Sequence, residues 1–309
     1  MPEAISGLHH VTAIASDPDE NVAFYTDVLG LRLVKKTVNF DDVTTYHLYY
    51  GDEVGSPGTI LTFFPFGGGQ RGSVGRGQTS ATAFVVPEGS LQYWQERFDD
   101  HGVEYDDVEM RFEERVLPFY DHDGQPLELV TGEADIDSWT ESDVPAEHAI
   151  RGFHGVTLLS ADAEATVDVL ETMGYERIGE AGHRTRFEGA GDRAAFVDVL
   201  DDPDASAGMQ GAGTVHHVAF RVPDDETEMA WREELAEAGL RVTPQKDRQY
   251  FRSIYFREPG GILFEFATDG PGFDADEPIA ALGSELQLPP WLEADRETIE
   301  NSLPPLSAD

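Results

Sequence analysis

At 309 residues the chain is long enough for about two domains of roughly 150 residues each, and its 40% hydrophobic content can supply real cores. Sixty acidic side chains against 21 basic ones give a formal net charge of −39, a field that repels phosphate backbones and anionic lipid, so neither nucleic acid nor membrane is expected as a partner. The absence of cysteine excludes disulfides, thiolate metal sites and cysteine nucleophiles, leaving His, Asp, Glu and water for any metal.

No apolar run approaches the ~20 residues of a membrane-spanning helix, and the first seven residues lack the basic and apolar segments of a secretory leader. A cytoplasmic protein is the expectation. The only lysines are Lys35, Lys36 and Lys246, and the acids are scattered through nearly every polar segment. Such a surface resembles that of halophile proteins, where dense counterions screen self-repulsion.

Residues 8–66 open with Leu8-His9-His10-Val11-Thr12-Ala13-Ile14-Ala15, a strand by its β-branched content. Ser16-Asp17-Pro18 is a helix start, and the helix carries Val22, Phe24, Tyr25, Val28 and Leu29 on an apolar face before stopping at Gly30. Three strands follow, over Leu31–Val34, Tyr46–Tyr50 and Thr59–Phe64, to complete a βαβββ module. The glycine-rich Phe66–Gly72 reads as a connector, and it lacks the Gly-Lys-Ser/Thr ending of a phosphate loop. Residues 79–131 repeat the module, from Ala83-Phe84-Val85-Val86-Pro87 to Leu127-Glu128-Leu129-Val130-Thr131, and an acidic connector spans 132–150. The third copy, 153–200, starts at Phe153-His154-Gly155-Val156. The fourth, 213–268, runs from Val215-His216-His217-Val218 to Phe264-Glu265-Phe266-Ala267-Thr268. The expectation is an α+β protein with an N-terminal domain over 1–140, a C-terminal domain over 151–270, each of two modules, and an extension over 271–309.

Paired βαβββ modules that curl into half-barrel cups resemble the vicinal oxygen chelate superfamily of glyoxalases and extradiol dioxygenases, over nearly the whole chain. In such a cup, His10 on the first strand of module one, and His217 and Glu265 on the first and last strands of module four, stand where a divalent metal would sit. Two imidazoles and one carboxylate leave coordination positions open, as in non-haem iron(II) enzymes. A strand histidine taken singly is more often a hydrogen-bonded core residue. Glu265 is harder to dismiss, because it interrupts an apolar strand where an unpaired carboxylate would cost several kcal/mol. Aligning the modules places Gly155 opposite His10 and Ala81 opposite His217, so modules two and three lack the histidines, and His154 matches His9 instead. Glu128 aligns with Glu265, and a salt bridge to Arg111 or Arg115 is its expected partner.

The doublets His9-His10 and His216-His217, the run Ser253-Ile254-Tyr255-Phe256-Arg257-Glu258-Pro259-Gly260-Gly261-Ile262-Leu263-Phe264-Glu265, and the tail motifs Leu288-Pro289-Pro290-Trp291 and Leu303-Pro304-Pro305-Leu306 resemble the hydroquinone-type ring-cleaving dioxygenases. The resemblance implies that His10, His217 and Glu265 bind Fe(II), with Mn(II) as the alternative. It also implies that His9, Thr12, His216, Arg248 and Tyr255 contact substrate or orient the ligands. In regular strands His9 and His216 would point away from the metal, so a direct role for them needs a bulge or a strand end. His47 and His183 have no motif around them and are expected to be ordinary residues. The expected partners are a small dihydroxylated aromatic and O2, with a homo-oligomer allowed. Two rivals remain. A glyoxalase-like lyase or isomerase would need a second carboxylate near Thr62 or Phe63, and a metal-free aromatic-binding module would leave Glu265 unexplained.

Overall fold

In the computed structural model, which describes residues 2–66 and 69–306, all four βαβββ modules form. Module one is β1 (Leu8–Ala15), α1 (Pro18–Ala23), β2 (Arg32–Asn39), β3 (Asp42–Gly51) and β4 (Ile60–Pro65). Module two is β5 (Gln78–Val86), α2 (Leu91–His101), β6 (Glu109–Arg111), β7 (Glu114–Tyr120) and β8 (Pro126–Thr131). Module three is β9 (Phe153–Leu159), α3 (Ala163–Thr172), β10 (Glu176–Ala181), β11 (Arg184–Glu188) and β12 (Phe196–Leu200). Module four is β13 (Thr214–Val222), α4 (Asp225–Glu237), β14 (Lys246–Asp247), β15 (Arg252–Arg257) and β16 (Leu263–Thr268), and α5 (Arg296–Ser302) lies in the extension. Gly67 and Gly68 of the Phe66–Gly72 connector lie outside the described residues.

The first helix starts where Asp17 caps it, the carboxylate accepting from the Asp19 and Glu20 amides at 2.9 and 3.0 Å, with Pro18 pre-set for the first turn. It then widens into a π turn over Phe24–Val28 before Gly30 ends it at φ +71°, a feature the apolar periodicity did not reveal. In α2 and α4 buried aromatic rings face the sheets: Trp231 meets Phe266 edge-on at 5.6 Å, and Phe98 stacks on Phe119 at 4.8 Å. Because strand side chains alternate, turning Phe264 and Phe266 toward α4 sends Glu265 and Ala267 to the concave face.

The strands make two curled eight-stranded sheets, ordered β14-β15-β16-β13-β1-β4-β3-β2 and β10-β11-β12-β9-β5-β8-β7-β6. Modules one and four share the first cup through the antiparallel β1–β13 pair, and modules two and three share the second through β5–β9. Each cup thus takes one module from 1–140 and one from 151–270, so the sheet pairing cuts across that division. The opening strand of each module has an open edge, and it finds its partner in the module that brings a matching antiparallel edge.

Both central ladders are interrupted. Leu8 pairs with Phe220 and His10 with Ala219, so His9 is an extra residue in β1; Thr12 pairs with His217 and Ala13 with Val215, so His216 is an extra residue in β13. The second cup repeats this at Ser80 and His154. A bulge resets the two-residue alternation, which is why both members of each histidine doublet can turn toward the cup interior, against the expectation from regular strands.

Arginines occupy the second cup. Arg111 holds Glu128 with two bonds of 2.7 and 2.9 Å, Arg186 holds Asp198 at 2.7 and 3.0 Å, and Arg184 adds a 2.8 Å bond to the same carboxylate. At Gly155 a Cβ would lie 2.1 Å from the Phe196 carbonyl oxygen, so no ligand side chain fits there. The extension packs into the first cup: Phe273 and Leu282 join Val34, Tyr49, Tyr250 and Phe251 in one apolar cluster. Beside it the buried Lys35 is paired with Asp276 at 2.6 Å and with Glu277, its ammonium 4.8 Å from the Tyr250 ring.

Candidate metal centre

His10, His217 and Glu265 meet at the floor of the first cup, all three buried. His10 Nε2 lies 3.3 Å from His217 Nε2 and 3.3 Å from Glu265 Oε2, and His217 Nε2 lies 2.8 Å from the same oxygen. Ligand atoms placed about 2.1 Å from one ion at right angles would be about 3 Å apart, which is the spacing found.

Protonation can be followed outward from the backbone. His9 Nε2 is 3.1 Å from the Thr268 carbonyl oxygen, which can only accept, so Nε2 carries the hydrogen. Burial first, and His10 beside it, push the His9 pKa down to about 3, so the ring is neutral and its Nδ1 is a bare lone pair. His10 Nδ1, 3.0 Å away, must donate to it, and a neutral His10 then presents a bare Nε2 to the centre. The second doublet has the same contact, His216 Nδ1 to His217 Nδ1 at 2.7 Å. If His217 donates there, its Nε2 is also bare and His216 keeps an Nε2 hydrogen for the cavity that it lines. Burial chiefly, then His217, lower the His216 pKa to about 3, and burial lowers that of His217. Burial would raise the Glu265 pKa, and only positive charge beside it, on His10 and His217 or on an ion between them, holds the carboxyl well below the usual range.

Among the described residues neither Glu265 oxygen has a partner in hydrogen-bond geometry, although imidazole nitrogens stand at 2.8 and 3.3 Å from one of them. With His10 and His217 both donating from Nδ1, lone pairs of two nitrogens and a carboxylate oxygen converge in a buried space. They repel one another unless a cation lies between them. The donor set therefore fits a divalent metal, and the three residues of the sequence expectation are the ones brought together.

A cavity of about 330 Å3 opens over this cluster. Phe40, Phe64, Phe251 and Leu263 give it apolar walls, and His216, Arg248 and Tyr255 line it as expected. Arg248 Nε donates to the Tyr255 hydroxyl at 3.0 Å, and its Nη2 reaches Asp41 on the β2–β3 turn at 3.1 Å. Burial and the Glu265 charge push the Tyr255 hydroxyl well above the ordinary phenol range, so it is a neutral donor. Thr12 is fully buried and bonds Thr62 at 2.9 Å rather than lining the cavity. His47 departs from expectation: it lines the cavity, bonded to Thr62 at 2.7 Å and to Tyr49 at 2.8 Å. No sequence signal marks it, because its partners lie on another strand and two residues along its own.

A cup of paired βαβββ modules with a buried His/His/Glu cluster under an aromatic-walled cavity defines a glyoxalase-fold protein with a candidate metal site. The chain belongs to the glyoxalase/bleomycin resistance protein/dioxygenase superfamily, whose sequence profile matches residues 7–129 and 179–266. It is 48% identical over 307 residues to MhqO of Bacillus subtilis, whose name assigns it provisionally as a ring-cleaving dioxygenase, covering 99% of this chain and 98% of that one. It is 37% identical over 309 residues to the chlorohydroquinone/hydroquinone 1,2-dioxygenase of Sphingobium indicum, covering 97% and 96%. The crystal structure of a Bacillus subtilis protein described provisionally as a dioxygenase superimposes with a TM-score of 0.96 at 47% identity, over 99% of each chain.

Proposed function

We propose that the chain is an iron(II)-dependent ring-cleaving dioxygenase that inserts both atoms of O2 into a dihydroxylated aromatic, hydroquinone-like first and catechol second. The observation that carries this reading is the convergence of two imidazole Nε2 atoms and a carboxylate, all buried, on one point beneath the cavity. The hydroquinone dioxygenase among the relatives supports the substrate class.

His10, His217 and Glu265 would hold the metal. Iron(II) bound there supplies Lewis acidity that keeps a phenol ionised near neutral pH, together with a path for ring electrons to O2. The work of the chain's own groups follows from their geometry. His9 fixes the tautomer of His10 through its bond to the Thr268 carbonyl. Where His217 Nδ1 donates to it, His216 keeps an Nε2 hydrogen for the cavity, which can donate to an oxygen that gains negative charge. Arg248 and Tyr255, joined to each other, offer a guanidinium and a neutral hydroxyl to an anionic ring oxygen. The phenylalanine walls bind the ring face and exclude water, and the cavity lies at the small end of the ligand-pocket range of about 300–1,000 Å3, which suits a single ring.

A glyoxalase-like lyase would need a second carboxylate on module one. The register puts Thr62 there, level with Thr12 as Glu265 is level with Ala219, which favours the dioxygenase. The test is oxygen uptake with hydroquinone by protein loaded anaerobically with iron(II), beside the E265Q variant. Uptake by the unaltered protein, and loss of both bound iron and uptake in E265Q, is the expected result. Full iron retention in E265Q, or an iron-loaded protein that consumes no oxygen, would overturn the reading.

A further inference from the structure

The first cup has an internal two-fold relationship that the metal cluster only half uses. On one arm Ala219 pairs with His10 and Glu265, and Glu265 pairs with Tyr255. On the other, Thr12 pairs with His217 and Thr62, and Thr62 pairs with Tyr49. Exchanging modules one and four therefore maps His10 onto His217, Glu265 onto Thr62, and Tyr255 onto Tyr49. Where module four carries a carboxylate, module one carries a hydrogen-bonded chain: Thr12 Oγ1 to Thr62 Oγ1 at 2.9 Å, Thr62 Oγ1 to His47 Nε2 at 2.7 Å, and His47 Nδ1 to the Tyr49 hydroxyl at 2.8 Å. The His47 ring is held between Tyr49 and Phe64, with centroids 4.0 and 4.3 Å away. Both His47 and Tyr49 face the cavity.

A neutral imidazole has one N–H and one lone pair, so the two bonds of His47 can run in only two directions. In one, Tyr49 donates to His47 and meets the cavity as an acceptor. In the other, Thr12 donates toward Thr62, His47 donates to Tyr49, and the tyrosine hydrogen is free for the cavity. The hydroxyl can thus serve as acceptor or donor with no change of charge, a pairing suited to another hydroxyl group. Arg248 and Tyr255 on the opposite arm are already bonded to each other. A ring held at the metal through one oxygen needs a second polar partner only if its other oxygen lies elsewhere on the ring.

Resting on the dioxygenase reading, we propose that Tyr49, positioned by His47, docks the second hydroxyl of a para-dihydroxylated ring and so selects hydroquinones over rings without that group. Tyr49 touches the substrate, and His47 acts through it as a positioning residue.

The test compares hydroquinone with phenol, which lacks the second hydroxyl, by anaerobic calorimetry on protein loaded with redox-inert Zn2+, using Y49F and H47F. The unaltered protein should prefer hydroquinone by about tenfold, a factor in keeping with one hydrogen bond. Both variants should lose that preference while binding phenol as before. With iron, Y49F should raise the KM for hydroquinone with little change in kcat, the signature of lost ground-state binding. A hydroquinone preference that persists in Y49F, or phenol affinity that falls in parallel, overturns the proposal. So does an unaltered protein that binds the two compounds equally. If the iron form consumes oxygen with hydroquinone while any of these three results holds, the docking role fails and the dioxygenase reading stands.

Discussion

His9 shows how much of this site depends on groups that never reach the centre. Its bond to the Thr268 carbonyl settles its own tautomer, and through Nδ1 it settles that of His10. Replacing it with Phe removes the acceptor for His10 Nδ1–H but keeps a ring of similar size. Loss of a ligand-orienting partner typically costs 10–100-fold in metal affinity. H9F is therefore expected to bind iron(II) about 10–100-fold more weakly in a competitive chelator titration, with the fold intact by circular dichroism; unchanged affinity would mean that the doublet contact does not orient His10. The candidate triad was legible in the sequence because Glu265 breaks an apolar strand and the histidines recur at equivalent module positions. His47 was not, because its significance lies in contacts to Thr62 and Tyr49 that only the sheet register creates.

At the scale of elements, the bulges and the extension matter most. A bulge adds one residue without any local mark in the sequence, so the doublets could be read as candidate pairs but not as two inward-facing pairs. The module order was legible from helix stops such as Gly30 and from strand periodicity. The pairing of one with four and two with three was not, because it is decided by which strand edges meet. The extension is anchored by a charge cluster under the cup, where Lys35 faces Asp276 and Glu277 next to the Phe273 and Leu282 contacts. Removing one partner of a buried ion pair costs about 3–5 kcal/mol, since the other is left uncompensated. K35M should accordingly lower Tm by several degrees in thermal denaturation, and adding E277Q to it should recover part of the loss. A K35M protein as stable as the parent would show that the extension does not depend on this cluster.

Across the whole molecule, the charge of −39 sets a self-repulsion that no single contact relieves. Neutral salt shortens the screening length from about 10 Å at 0.1 M to about 3 Å at 1 M. Melting followed by fluorescence should therefore show Tm rising markedly between these salt concentrations, and a flat or falling Tm would count against a surface adapted to high salt. The two cups divide the labour. The second holds arginine–carboxylate pairs where the first brings His10, His217 and Glu265 together. The first gathers residues from both ends of the chain, so an intact site requires modules one and four to be docked.

The dioxygenase proposal depends on one cup holding an iron that lets ring electrons reach oxygen. Mass spectrometry of the product formed from hydroquinone under 18O2, by the iron-loaded protein, tests it most directly. A ring-opened product carrying two heavy oxygen atoms in each molecule at early times is the expected result. An intact ring, or a product with no heavy oxygen, would contradict it.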